Sequence, residues 1–242
     1  MRQTSIRLGS SGPFVREMQA ALNRRLNPSP NLKISGIFDQ ATAQAVRAFQ
    51  TANWLETDSC AGPCTLDALY NLEKSGPILH SIVPVSQSAF IPAWPAAFAM
   101  LTQRATAAIL AAVPSTLLNP DKSLASDPDL IGLQRQRKDL GRVIGLHYHI
   151  ARNWFAPDLI ALLRQRPLAI ECPQSPISRE FAKTPQYFLV IAGARGTHSC
   201  DGSSTTLKIF NPEFGAEPVR SQSFQSLIRQ FNRMPFGIFT AW

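Results

Sequence analysis

The chain has 242 residues, 45% of them hydrophobic and 17% charged, enough for two ordinary domains with cores of their own and far from a disordered or acidic-tail composition. Its 24 Lys and Arg outnumber 16 Asp and Glu, giving a formal charge of +8 that is spread: residues 1–74 hold 8 basic and 6 acidic side chains, the rest 16 and 10. No Lys/Arg run exceeds Arg24-Arg25 apart from the Arg135, Arg137, Lys138 cluster, so no nucleic-acid partner is expected, while dispersed positive charge suits a polyanion such as a bacterial surface.

Residues Met1 to Ser11 lack an apolar core, so no secretory leader is expected, and no apolar stretch of about 18 residues is present to span a bilayer. Leu8-Gly9-Ser10-Ser11-Gly12 reads as a turn, with Pro13 suited to the first position of a helix. Val15, Met18, Gln19, Leu22 and Leu26 then recur at helical spacing until Pro28 and Pro30 end the pattern. Ser35-Gly36-Ile37-Phe38-Asp39 forms a second turn whose Asp39 caps a helix burying Thr42, Ala45, Val46 and Phe49. After the Gly62-Pro63 turn a short third helix is expected over Thr65 to Leu72.

These residues resemble the peptidoglycan-binding module of bacterial wall hydrolases. The resemblance lies in Gly9 and Gly12, Val15 and Gln19, the block from Gly36 to Gln50, and the stretch from Gly62 to Leu69; Cys60, Cys64 and Pro13 depart from the pattern. It implies a small three-helix bundle with peptidoglycan as partner. Core and backbone roles explain most of the matching residues, with Gln19 and Gln50 expected to hydrogen-bond loops. Ligand contact is expected at Phe38, Asp39, Thr42 and Trp54, which stand at turns and helix starts where side chains reach the surface.

Ser75-Gly76-Pro77 breaks the chain, and residues 75–80 read as a linker containing His80. From Ala93 through Trp94, Ala96, Ala97, Ala99, Met100 and Leu101 a small-residue helix is expected, buried on most sides. Ala105 to Leu118, interrupted by Pro114, reads as a buried helix. Pro157 to Leu163 is a further helix leading into an Arg166 to Ile170 strand. Tyr187 to Gly193 and Leu207 to Phe210 are hydrophobic strands, the second ending at Asn211-Pro212.

This second part resembles a papain-like cysteine peptidase. Gln87 stands six positions before Ala93-Trp94, where such enzymes carry an oxyanion-binding Gln and a Cys-Trp pair. The spacing has a physical cause: a helix N-terminus favours a thiolate, and an upstream amide stabilises the oxyanion. The resemblance places Tyr187 in the histidine slot and Asn211 in the orienting slot. Two catalytic positions are then chemically wrong, because a methyl group cannot attack and a phenol is a poor base. His147 and His149 flank Tyr148 in a structural or surface setting, and His198 lies in the Arg195 to Ser204 hairpin.

The expected architecture is α+β: a helical domain at 1–74, the linker, and a papain-like domain at 81–242 in which a helical subdomain packs on an antiparallel sheet. Its cleft, with Trp94, would bind a peptide or protein rather than cleave it; the alternative is a peptidoglycan or protein hydrolase, an antibacterial effector or phage lysin, whose nucleophilic Cys has become Ala93. No cofactor or metal is expected, since Cys60 and Cys64 lack a second compact Cys/His pair. The cysteines admit three connectivities, with Cys60–Cys64 and Cys172–Cys200 the pairing expected on oxidation. A periplasmic or extracellular location, reached without a signal peptide, is the expectation; four reduced thiols would suit a cytoplasmic one.

Overall fold

The computed structural model describes residues 5–72, 76–86, 92–127, 129–172, 188–212 and 219–242. Helix α1 (Pro13–Arg25) begins on Pro13 after Gly12. Helix α2 (Gln40–Ala52) is capped by the Asp39 carboxylate, which accepts from the Thr42 amide. Helix α3 (Pro63–Leu69) starts on Pro63 and is shorter at its end than expected. It closes in a Schellman turn, Leu72 N–H bonding Asp67 O and Asn71, at φ 55°, bonding Ala68 O. The three helices enclose a core of their own around Met18, Leu22, Phe38, Val46, Phe49 and Leu66.

Two buried glutamines tie the loops to this bundle. Gln19 donates to Ile37 O and Thr42 Oγ1 and accepts from Gly36 N–H, locking the first turn to the second. Gln50 donates to Asp58, Cys60 O and Thr65 and accepts from Ser59 N–H, so one side chain fixes the whole 58–60 loop.

The α+β part is built on a mixed-length antiparallel sheet. Strand β1 (Ile78–Leu79) lies where a linker was expected and pairs with β4 (Phe188–Gly196). Gly193 permits this, since a Cβ there would sit 2.6 Å from Ile78 O. The remaining strands are β2 (Leu146–Arg152), β3 (Leu168–Glu171), β5 (Thr205–Phe210), β6 (Val219–Ser223) and β7 (Phe236–Ala241), in the order β2-β7-β3-β4-β5-β6.

Period-two alternation splits the sheet's side chains between two cores. Phe188, Val190 and Ala192 of β4 join Ala169, Phe210 and Phe239 on one face, beneath α4 (Ala93–Thr102), α5 (Thr106–Ala112) and α6 (Leu130–Ile144). Leu189 and Ile191 join Ile170, Ile209 and Ile238 on the other, beneath α7 (Ala156–Leu163) and α8 (Phe224–Gln230). The expected run Ala105 to Leu118 is corrected: the helix ends at Ala112, buries only Ile109, and gives way to a 3-10 turn over Ser115–Leu117. Pro114 is the cause, because it drives Val113 into extended backbone.

Within the basic cluster on α6, Arg135 and Lys138 are exposed and Arg137 is not. Arg137 is buried, its Nε 2.7 Å from the Glu171 carboxylate and its Nη1 donating to Ala125 O. It stitches α6 to β3 and is not a surface cation.

Helical bundle and sheet meet through polar contacts. The β4–β5 hairpin supplies Arg195, whose guanidinium donates to Asn53 O and lies over the Trp54 ring at 5.6 Å. Thr197 Oγ1 donates to Asp67 at 3.3 Å, Cys64 Sγ to Ser203 O at 3.3 Å, and Ser223 N–H to the Glu56 carboxylate at 3.2 Å.

Candidate functional site

The residues expected at the wall-binding surface are divided by the bundle. Phe38 is fully buried in its core and Thr42 is equally inaccessible, donating to Asp39 Oδ1 at 2.7 Å. Neither side chain can reach a ligand, because the turn that exposes Ile37 points its successor inward. Asp39 remains exposed. Thr42's hydroxyl and then its amide hold the Asp39 carboxyl below the usual carboxylate range. Around these paired turns, where Gly12 N–H bonds Gly36 O and Phe38 N–H bonds Ser10 O, Leu8, Phe14 and Ile37 stand at 60%, 47% and 56% exposure.

Trp54 is partly buried and held at φ 43° as the left-handed residue ending α2, in a position that ordinarily belongs to glycine. Trp54 N–H bonds Thr51 O and Leu55 N–H bonds Gln50 O, the same closing turn seen on α3. Its ring faces Arg195 of the hairpin, so its observed partner is the other half of the chain.

In the α+β part, Gln87 and Tyr187 lie outside the described residues. Ala93 is the first residue of α4, 3% exposed, after Pro92. Trp94 beside it is buried, with its indole donating to Lys122 O at 3.0 Å and its ring tilted against Phe98. It therefore acts as core, not as an open ligand platform. Asn211 is buried immediately after β5. Helix α4 rests on the face carrying Phe188 and Phe239, each packed on Phe98.

The other histidines occupy separate places. His80 bonds Leu163 O through Nε2, and His198 Nδ1 lies 3.3 Å from Thr205 Oγ1 in the hairpin that docks on α3. His147 and His149 share the outer face of edge strand β2, their rings 4.5 Å apart, with Trp242 and Trp154 at either end. Burial, then neighbouring His147 and Arg152, pushes the His149 pKa down. The alternation His147-Tyr148-His149 was the available signal for this strand.

The four cysteines are free, and neither of the pairs expected on oxidation, Cys60–Cys64 and Cys172–Cys200, is formed. Cys64 is turned toward Ser203 rather than Cys60, and burial raises its thiol pKa to about 11. Cys172 is buried in the sheet core and Cys200 is exposed on the hairpin. Among the described residues no group of three or more His, Cys, Asp or Glu could hold a metal ion, and no helix is long and apolar enough to cross a membrane.

Two concavities lie in the α+β part. One of about 610 Å³ lies between α8, the hairpin tip and the Asn153–Phe155 segment; a shallower one of about 410 Å³ lies along β2, and Trp154 borders both. Neither is lined by Ala93, Trp94 or Asn211.

Residues 11–69 match the family described as putative peptidoglycan binding domain. Over 65 residues the chain is 40% identical to the zinc D-Ala-D-Ala carboxypeptidase of Streptomyces albus G, an alignment covering 27% of this chain and 26% of that protein. The chain thus spans about a quarter of the length of that curated relative. Among solved structures it is similar to the SleB N-terminal domain, at 33% identity over 29% of this chain and 93% of that one, with a TM-score of 0.27. It is also similar to the endolysin of Burkholderia phage AP3, at 25% identity over 50% of this chain and 43% of that one, again with a TM-score of 0.27. The N-terminal bundle is a domain of the peptidoglycan-binding type, and the family match ends at residue 69, before the first strand.

Proposed function

We propose that this is a cell-envelope protein that anchors to peptidoglycan through its N-terminal domain and presents an α+β domain of papain-like descent that binds peptide without cleaving it. The observation that carries the first half is the family match over 11–69, together with the turn geometry that leaves Asp39, Leu8, Phe14 and Ile37 at one exposed surface. The α+β reading is supported by Ala93 at the buried start of a helix laid on an antiparallel sheet, and by Asn211 buried at a strand end. Placement in the periplasm or outside the cell follows from the ligand.

The intact protein is expected to sediment with purified insoluble peptidoglycan at both low and moderate salt. Moderate salt is required because a chain of charge +8 adheres to an anionic wall electrostatically when screening is weak. Retention that vanishes at 0.15 M salt overturns wall recognition.

Ala93→Cys should leave the protein essentially inactive on peptide and wall substrates. A thiol at a site 3% exposed is disfavoured as thiolate, and a phenol at position 187 is protonated near neutrality. Substantial thiol-dependent hydrolysis by this variant would instead identify the domain as a hydrolase that has lost only its nucleophile.

A further inference from the structure

We propose that the 610 Å³ cleft beside α8 is a binding site for the C-terminal residue of a peptide, its carboxylate held by Arg229 and Arg233 and its side chain seated on an aromatic wall. The site stands apart from the Ala93 region and takes no lining residue from the N-terminal bundle, so it does not depend on wall binding.

The two arginines are placed by the way α8 ends. Phe231 caps the helix, Asn232 at φ 50° and Arg233 at φ 58° follow in the left-handed region, and the turn closes with Asn232 N–H on Arg229 O and Arg233 N–H on Ile228 O. A Schellman turn needs one left-handed residue; here two non-glycine residues in succession adopt that conformation. The second of them is Arg233, which lines the cleft together with Arg229 from the last helical turn. Both side chains are exposed, and among the described residues neither has an ion-pair or hydrogen-bond partner.

The opposite wall is fixed and apolar. Trp154 is 7% exposed and its indole donates to Phe236 O at 2.8 Å, while Phe155 beside it lines the same cleft and is 59% exposed. Phe224 and Ile228 floor the cleft. A volume of this size suits a few residues of peptide, and an apolar cavity with a small set of placed charges is the usual form of a ligand site.

Charge selects the ligand. Two guanidinium groups and one carboxylate line the cleft, and that carboxylate, Asp201, is already engaged by Ser199 and Ser203 at 2.6 and 2.9 Å. The lining's net charge of +1 matches a singly charged carboxylate, which takes paired N–H donors from guanidinium, more closely than it matches a phosphate dianion.

The test uses the intact protein and the indole N–H signal of Trp154, assigned with Trp154→Phe. The probes are acetyl-Ala-Ala-Leu with a free carboxylate, the same tripeptide amidated, and inorganic phosphate. The free acid should shift the Trp154 signal in a saturable way. Amidation should weaken binding by about tenfold or more, and Arg229→Gln and Arg233→Gln should each do the same. Equal affinity for acid and amide, saturation by phosphate at the same concentration, or no shift with any probe overturns the proposal. If either variant fails to fold, the acid–amide comparison on the unaltered protein decides.

Discussion

At Asp39 one carboxylate serves both the amide and the hydroxyl of Thr42. Because these bonds favour the charged form, its folded pKa lies below its unfolded value. The stabilisation is therefore fully present above the unfolded pKa, about 3.9, and is lost as pH falls through the folded one. Asp39→Ala should lower the denaturation midpoint at pH 7, and its deficit relative to the unaltered protein should shrink below pH 4. A deficit that stays constant between pH 7 and pH 2.5 would remove the capping explanation. This residue was legible from sequence because a cap is local: Asp39 and Thr42 are three positions apart. Phe38 was not, since the side to which a turn residue points depends on the Ser10–Phe38 and Gly12–Gly36 backbone bonds, which join segments more than twenty residues apart.

Elements differ in the same respect. Helices α1 and α2 follow from Pro13, Asp39 and their apolar spacing, strand β4 from the hydrophobic run that opens it, and β5 from Leu207, Ile209 and Phe210. Strand β2 carries histidine on alternating positions and helix α6 carries charge at Arg135, Arg137, Lys138, Asp139 and Arg142, and burial of Arg137 is decided by Glu171, 34 residues away. A local reading takes such an arginine for a solvated one. Removing one partner of a buried, hydrogen-bonded pair leaves the other charge uncompensated, so Arg137→Ala should cost about 3–5 kcal/mol in chemical denaturation. Joint replacement, Arg137→Met with Glu171→Leu, should recover most of that loss. An Arg137→Ala cost below about 1 kcal/mol would show that the pair is solvated in solution.

Across the whole molecule, the junction between bundle and sheet is polar and is made by the β4–β5 hairpin, the Asn53–Glu56 turn and the Ser223 amide. Arg195 joins it at two places, Asn53 O and the Trp54 face. Arg195→Ala should raise the rate of limited proteolysis between Leu72 and Ile78 by about fivefold or more, consistent with loss of roughly 1–2 kcal/mol at one contact. Sedimentation with peptidoglycan should be unchanged. An unaltered cleavage rate would mean that the remaining contacts hold the halves together without it.

The short connection gives that junction a further property. Only five residues separate Leu72 from Ile78, so the chain can extend at most roughly 20 Å between the last turn of the bundle and the first strand. At such a separation each half experiences the other at an effective concentration on the order of millimolar or higher. A contact too weak to survive between separate molecules therefore stays closed in this one, and a few hydrogen bonds with one stacked guanidinium suffice. A domain seated on the wall would thus hold the cleft beside α8 at a set height and orientation above it, through a short tether and the few contacts that the tether keeps closed.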